Sequence, residues 1–241
     1  NRKECYIREF SIEHFHDSKV FETLIPKICK IFREENEELT GFENEEILAE
    51  YQIYKTPGYV YMKGNVQIYS AGKQAADISA FPEGIAVAVG SEEDVPDICP
   101  DQTIDKVFTI ENLTSFYRFK QEHSLVIYLG GYHNRSRRNL LMQIYQKLPD
   151  AQYYHFGDLD AGGFYILEHL KRKTGIPFQM FQMDIETLKK YEDYAKPLTE
   201  NDKKRLMQLE KMELPDEERK LITYMLQKGI KLEQECISES Q

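Results

Sequence analysis

Tyr153-Tyr154-His155-Phe156-Gly157-Asp158-Leu159-Asp160-Ala161-Gly162-Gly163-Phe164 is an apolar run that ends in two carboxylates, passes a glycine pair and starts a helix. Side chains two apart on a strand point to one face. Asp158 and Asp160 are therefore expected to converge at the carboxyl end of a strand, where open α/β sheets place their ligands. Paired hard oxygen donors suit Mg²⁺ or Mn²⁺. Gly162 and Gly163 let backbone approach a ligand and open a helix whose first amides favour phosphate. On spacing alone, a metal site and a pair of solvated aspartates capping the helix stand level, because Asp-x-Asp is a common string.

Outward from this stretch, short β-branched or aromatic runs recur at Lys106–Ile110, 124–129, Gln152–Phe156 and 178–183. Helical patterns lie between them: Leu140, Leu141, Ile144, Tyr145 and Leu148 share one face, as do Phe164, Leu167 and Leu170. Strands alternating with helices predict a mostly parallel, right-handed α/β sheet. Glu111 ends the first strand, just before Asn112-Leu113-Thr114-Ser115. If the first and third strands are neighbours, Glu111, Asp158 and Asp160 form a three-carboxylate cluster. Like charges so placed repel strongly in a partly desolvated site, which makes sense of the cluster as a cation cradle. After Asp184 the pattern reads as helical to the last residue, with Thr199 and Asp202 capping one helix and Pro215-Asp216 starting the next.

The first hundred residues read differently. Residues 17–39 carry Val20, Phe21, Leu24, Ile28, Ile31 and Phe32 at helical spacing, Gly41 breaks the chain, and residues 45–51 suggest a short helix. Residues 59–69 alternate like a hairpin turning at Gly64-Asn65. That order is compatible with a winged helix, although a small α+β module packed on its neighbour is the plainer reading. Ser91-Glu92-Glu93-Asp94-Val95-Pro96-Asp97-Ile98-Cys99-Pro100 is acidic, carries two prolines and reads as a connecting loop. The boundary is placed there, giving an N-terminal α+β module over 1–103 and an α/β domain over 104–241.

The chain has 241 residues, 41% of them hydrophobic, enough for a real core. No apolar segment approaches a membrane span, and Asn1-Arg2-Lys3-Glu4 is neither a signal nor a transit sequence, so a cytoplasmic protein without membrane contact is expected. Cys5, Cys29, Cys99 and Cys236 are scattered without a CxxC pair, which indicates neither a zinc ribbon nor a disulfide framework. Without an initiator Met the chain reads as a fragment of something longer. Net charge is −10, which argues against non-specific coating of nucleic acid through overall charge. Residues 104–176, however, hold ten lysines and arginines against seven acids, so this segment is net +3 and the remainder −13. The segment with the paired aspartates is the basic one, as an enzyme acting on a phosphate backbone would need.

Four blocks in order resemble a known family: Ile110-Glu111-Asn112-Leu113-Thr114-Ser115, Tyr128-Leu129-Gly130-Gly131-Tyr132-His133, His155 to Phe164, and Lys231-Leu232-Glu233-Gln234-Glu235. Together they are similar to the C-terminal nuclease region of the JetD family of Wadjet plasmid-defence systems. Arg8-Glu9-Phe10-Ser11 and Asp17-Ser18-Lys19 resemble it too. The resemblance implies a Toprim fold, a mostly parallel sheet flanked by helices and similar in layout to the topoisomerase VI A subunit. It further implies a Mg²⁺- or Mn²⁺-dependent endonuclease that cuts double-stranded DNA presented by a condensin-like SMC motor complex, with a homodimer as the expected assembly. By the match Glu111, Asp158 and Asp160 would be catalytic and metal-binding. Glu233 and Glu235 could reach a second metal, although two glutamates near a helix end are more often simply solvated.

Gly130-Gly131 could bring backbone amides to a phosphate, with a plain turn as the simpler reading. Arg135, Arg137 and Arg138 open a helix and, with His133, are candidates for DNA contact, against a solvated helix face. His133 and His155 lie near the site in sequence and read first as hydrogen-bonded structural histidines. Lys171-Arg172-Lys173 falls at a helix C-terminus, where the dipole favours cations anyway. Tyr51, Tyr54, Tyr59 and Tyr61 offer hydroxyls for covalent strand cleavage, but nothing singles one out, so hydrolysis is preferred. Two other classes remain open: a haloacid-dehalogenase-like phosphohydrolase, whose nucleophile motif Asp-Leu-Asp resembles, and a non-catalytic metal-binding scaffold.

Overall fold

A computed structural model describes residues 5–36, 39, 42–55, 58–89, 96–130 and 135–237. The readings at Gly41, at residues 91–95 and at Gly131, Tyr132 and His133 lie outside them, as do the side chains of Arg135 and Ser136.

The first part of the chain is helical: α1 (Ile7–Phe15), α2 (Val20–Glu35) and α3 (Asn44–Glu50), with β1 (Cys5–Tyr6) pairing in parallel with β2 (Ile53–Tyr54). Phe21, Cys29, Ile47 and Leu48 close a small apolar core between these elements. The strands β3 (Gly58–Lys63), β4 (Val66–Ser70), β5 (Lys73–Asp77), β6 (Ile85–Val89) and β7 (Asp97–Pro100) follow. The expected hairpin over 59–69 does not form. β3 and β4 are separated at Gly64-Asn65 as anticipated, but they enter different sheets, β3 beside β6 and β4 between β5 and β7. Gly64 (φ +138°) packs so closely on the next strand that a Cβ there would lie 2.5 Å from Ser124 O. The chain is thus bent away from its own partner, and no winged-helix hairpin results. The connecting-loop reading is also corrected at 97–100, where β7 pairs with β4 as an edge strand, the position that tolerates its proline.

The remaining elements are β8 (Lys106–Ile110), α4 (Leu113–Arg118), β9 (Ser124–Tyr128), α5 (Arg135–Lys147), β10 (Gln152–Phe156), α6 (Ala161–Thr174) and β11 (Gln179–Met180). The fourth expected strand, over 178–183, is thus only two residues long. Next come α7 (Ile185–Lys190), β12 (Lys196–Pro197), α8 (Glu200–Leu209), α9 (Asp216–Lys228) and β13 (Ile230–Lys231). The expectation of helix throughout this end is corrected: β12 pairs with β13, and residues beyond Gly229, the left-handed cap of α9, leave the helix. The two predicted caps hold, Thr199 with Asp202 in a reciprocal pair and Pro215 before α9.

The main sheet has the order β11-β10-β8-β9-β3-β6. β11, β10, β8 and β9 are mutually parallel, while β3 and β6 are antiparallel additions. This is the mostly parallel α/β sheet expected of a Toprim-like fold. It takes strands from both sides of position 103. Both faces are covered: Val107, Leu125 and Tyr153 pack with Leu140, Ile144 and Leu170 on one, and Phe108, Ile110 and Phe156 with Phe116, Phe164 and Leu221 on the other. Burial on two faces explains the unbroken apolar runs, each buried large side chain contributing about 2 kcal/mol. Among the described residues no helix is long and apolar enough to cross a membrane.

Candidate metal centre

β8 and β10 are neighbours with Ile110 opposite Phe156, so Glu111 and Gly157 leave the sheet side by side. The Glu111 amide donates to Phe156 O at 3.1 Å. Its carboxylate lies over Gly157, where a Cβ would stand 2.0 Å from Glu111 Oε1; only glycine leaves room. One layer down, Thr109 and His155 are cross-strand partners. His155 is fully buried, its Nε2 2.8 Å from Glu111 Oε1 and its Nδ1 2.9 Å from Thr109 Oγ1, which also donates to Tyr154 O at 3.2 Å. It is the hydrogen-bonded histidine the sequence suggested, and it orients the glutamate. Burial, then the nearby Asp160 and Glu46, push the Glu111 carboxyl well above its ordinary range. Burial, with Lys171 assisting and Asp158 opposing, holds His155 down to about 3.

The loop after Gly157 carries the two aspartates to different partners. Asp160 caps α6, its Oδ1 accepting from Gly163 N at 2.9 Å. Asp158 Oδ1 accepts from Gln234 N at 2.7 Å. Burial raises Asp158 to about 7 against that hydrogen bond, and repulsion from Glu111, Asp160 and Glu235 adds to the rise. A Cβ at Gly163 would fall 2.2 Å from Asp158 O, so the first turn of α6 can seat against the loop only with glycine.

A clasp from the other end of the sequence closes the site. Leu232 and Leu159 exchange backbone hydrogen bonds at 2.9 and 3.1 Å. Two residues on, the fully buried Gln234 accepts from Asn112 N at 2.8 Å and donates through Nε2 to Phe156 O at 3.1 Å, while its own amide holds Asp158. One glutamine thereby ties together the segments that carry Glu111 and Asp158. Sequence reasoning quoted Gln234 only within its block, since an isolated glutamine has no chemical signature. The expectation that Glu233 and Glu235 sit near the end of a long helix is corrected, because Glu233 precedes and Glu235 lies within a single 3-10 turn over Gln234–Cys236. Glu235 accepts from Asn112 Nδ2 at 2.5 Å beside the cluster, whereas Glu233 is ion-paired with Lys196 at 2.5 Å.

The basic candidates are placed elsewhere. Arg137 donates to Leu129 O at 2.5 Å and to Tyr59 O at 3.3 Å, and burial lowers its pKa. Arg138 pairs with Glu50 at 2.7 Å, both side chains largely covered. These two arginines tie α5 to β9, β3 and α3. His133 and the Arg135 side chain lie outside the described residues.

Glu111, Asp158, Asp160 and Glu235 are all-oxygen, hard donors of the kind that suits Mg²⁺ or Mn²⁺. Among the described residues none of Glu111, Asp158 and Asp160 has a lysine or arginine ion-pair partner, and no three acidic, histidine or cysteine side chains are gathered into a ready-made shell. Each carboxyl group is instead turned to its own hydrogen-bond partner: Glu111 to His155, Asp158 to Gln234 N and Asp160 to Gly163 N. The donor set fits a divalent cation, which would offset the burial, and the lesser mutual repulsion, that raise Glu111 and Asp158.

Comparison with known proteins bears on the same region. The model of the family described as Wadjet protein JetD, C-terminal, matches residues 93–241. A curated relative, Wadjet protein JetD of Bacillus cereus (strain Q1), is 30% identical over 235 residues. The match covers 95% of this chain and 56% of the relative, so the chain spans little more than half of that protein's length.

Proposed function

Because this chain belongs to the JetD C-terminal family, we propose that it is a divalent-metal-dependent Toprim endonuclease acting on double-stranded DNA in Wadjet-type defence. The observation that carries the reading is that Glu111, Asp158 and Asp160 all follow the carboxyl ends of two adjacent parallel strands, with no lysine or arginine paired to them among the described residues. The cation would be held by these three, with Glu235 adjoining; bound there, it supplies polarisation of the scissile phosphodiester and activation of a water.

The chain's own residues prepare that chemistry. His155 and Thr109 fix the direction of Glu111. With both Glu111 and His155 neutral, the Thr109 hydroxyl donates to Tyr154 O and accepts from Nδ1–H, leaving Nε2 to accept from the protonated Glu111. With Glu111 ionised, Nε2–H donates to it and Nδ1 accepts from Thr109. The carboxylate keeps one orientation through both states. Gln234 holds Asp158 against the end of β10, and Asp160 is held by the first turn of α6. As part of the same proposal, the protein works as a homodimer, each subunit cutting one strand, alongside a condensin-like motor complex.

The test is Mg²⁺ and Mn²⁺ calorimetry with cleavage of supercoiled plasmid, for the wild type and for Asp158→Ala combined with Asp160→Ala. Loss of both binding and cleavage in the variant supports the reading. A folded wild type that binds neither ion overturns it for this chain.

A further inference from the structure

With Arg137 and Arg138 engaged inside the fold, the phosphates of a nucleic acid must be met by other groups. Beside Glu235 lies a cavity of about 790 Å³ whose walls include Phe156, Tyr117, Arg118, Lys120 and Lys190, with Glu83 opposing. A second cavity, of about 700 Å³, shares Glu83, Phe119, Lys120 and Gln121 with the first and extends to Lys63, Gly64 and Asn65, with Glu122 in its wall. Two open cavities with a common wall make a trough that starts at Glu235, whose partner Asn112 follows Glu111 directly in the chain. Such a shape suits a chain molecule better than a small ligand, which binds in an enclosing pocket.

The trough's charge differs from that of the whole molecule. Four cations line it against three acids, and one acid, Glu235, is hydrogen-bonded to Asn112 at the carboxylate cluster. Lys63 is a buried charge: its Nζ donates to Phe116 O at 2.6 Å and Tyr117 O at 3.3 Å and lies 4.9 Å from the Phe116 ring centroid. It ties the last turn of α4 to β3. Arg118 and Lys120, just beyond that turn's carbonyls, are exposed and form no ion pair among the described residues. Tyr117, 41% exposed, offers a ring beside them.

Resting on the nuclease reading above, we infer that this trough is a track for the phosphodiester backbone of duplex DNA, with Arg118 and Lys120 as phosphate contacts leading the strand to Glu111, Asp158 and Asp160. Such contacts position the duplex without reading its sequence, and each releases a counterion on binding.

The experiment is fluorescence anisotropy of a labelled DNA duplex across a salt series, using the whole chain, with Arg118→Glu/Lys120→Glu, the milder Arg118→Gln/Lys120→Gln, and Lys204→Glu/Lys220→Glu as a charge-matched control outside the trough. Both trough variants are expected to weaken binding at low salt, the reversal by roughly 10- to 100-fold, and to lower the salt slope by about 2, one per phosphate contact. Divalent-ion calorimetry should be unchanged in them, which also verifies that they fold. If the wild type binds and cleaves DNA while the trough variants bind as well as it does, or no worse than the control, the track is overturned and the nuclease reading stands. If the wild type shows no salt-dependent duplex binding, both fall together.

Discussion

Two partly buried acidic clusters sit against α6, and they are built on opposite principles. Glu168 and Glu218 share Lys171, whose Nζ is 2.8 Å from Glu168 Oε1 and closer still to Glu218 Oε1. Glu111, Asp158 and Asp160 have no lysine or arginine partner among the described residues; Glu111 is hydrogen-bonded to His155, and the two aspartates accept from backbone amides. Burial raises a carboxyl in each cluster, Glu218 in the first and Asp158 in the second. The first carries its counter-charge in the sequence. The second has no lysine or arginine partner among the described residues, which is the arrangement that the proposed metal site would require.

The sharpest break of this contrast is Asp158→Asn. Plasmid cleavage should fall about a thousandfold, several kcal/mol of lost transition-state stabilisation, and the rise in melting temperature with Mg²⁺ should vanish. Cleavage at wild-type rate would remove the distinction between the clusters.

Lys171→Met should do to the first cluster what nature does to the second. Two buried carboxylates without a cation are expected to cost about 3 to 5 kcal/mol in urea denaturation at neutral pH. Part of that loss should return at acid pH as Glu218 takes up a proton. A variant as stable as the wild type would mean that Lys171 neutralises nothing.

Metal-free stability should also depend on pH through Asp158. Its folded value of about 7 lies above the unfolded one, so the folded chain binds the extra proton between roughly pH 4 and 7. The contribution of Asp158 is therefore greatest below that window and is lost as pH rises through it, by about 4 kcal/mol at most. Saturating Mg²⁺ should reduce the decline in stability with pH, and Asp158→Asn should remove the share due to Asp158 while leaving that of Glu111 and Glu218.

Gln234→Ala should weaken Mg²⁺ binding about 10- to 100-fold, as loss of outer support does in metal sites. The smallest effect is expected at Glu233, whose pair with Lys196 is about half exposed on both sides. Glu233→Ala should change stability by no more than about 0.5 kcal/mol and leave metal affinity alone. A larger loss there than at Glu235 would redraw the cluster.

Much of this was legible in the sequence where the signal is local. β8, β9 and β10 announce themselves as apolar runs, Thr199 and Asp202 as a cap, and Glu111 with the two aspartates as a cluster once the strands are taken as neighbours. What escaped depends on distant partners. Gly64-Asn65 reads as a hairpin turn, and only the wall formed by Ser124 diverts β4 into another sheet. Arg137 and Arg138 look like surface charge until Leu129, Tyr59 and Glu50 come to meet them. Gln234 acts across 122 positions of sequence to reach Asn112, a separation that no motif records.

That separation sets an order of events during synthesis. A ribosome makes Glu111 first and the two aspartates some fifty codons later, but Asp158 gains its anchoring amide only when Gln234 is also free to fold. A chain interrupted after α6 would hold all three carboxylates and no clasp. On the proposed reading, such a chain would hold the cation more weakly than one in which Gln234 has joined the site.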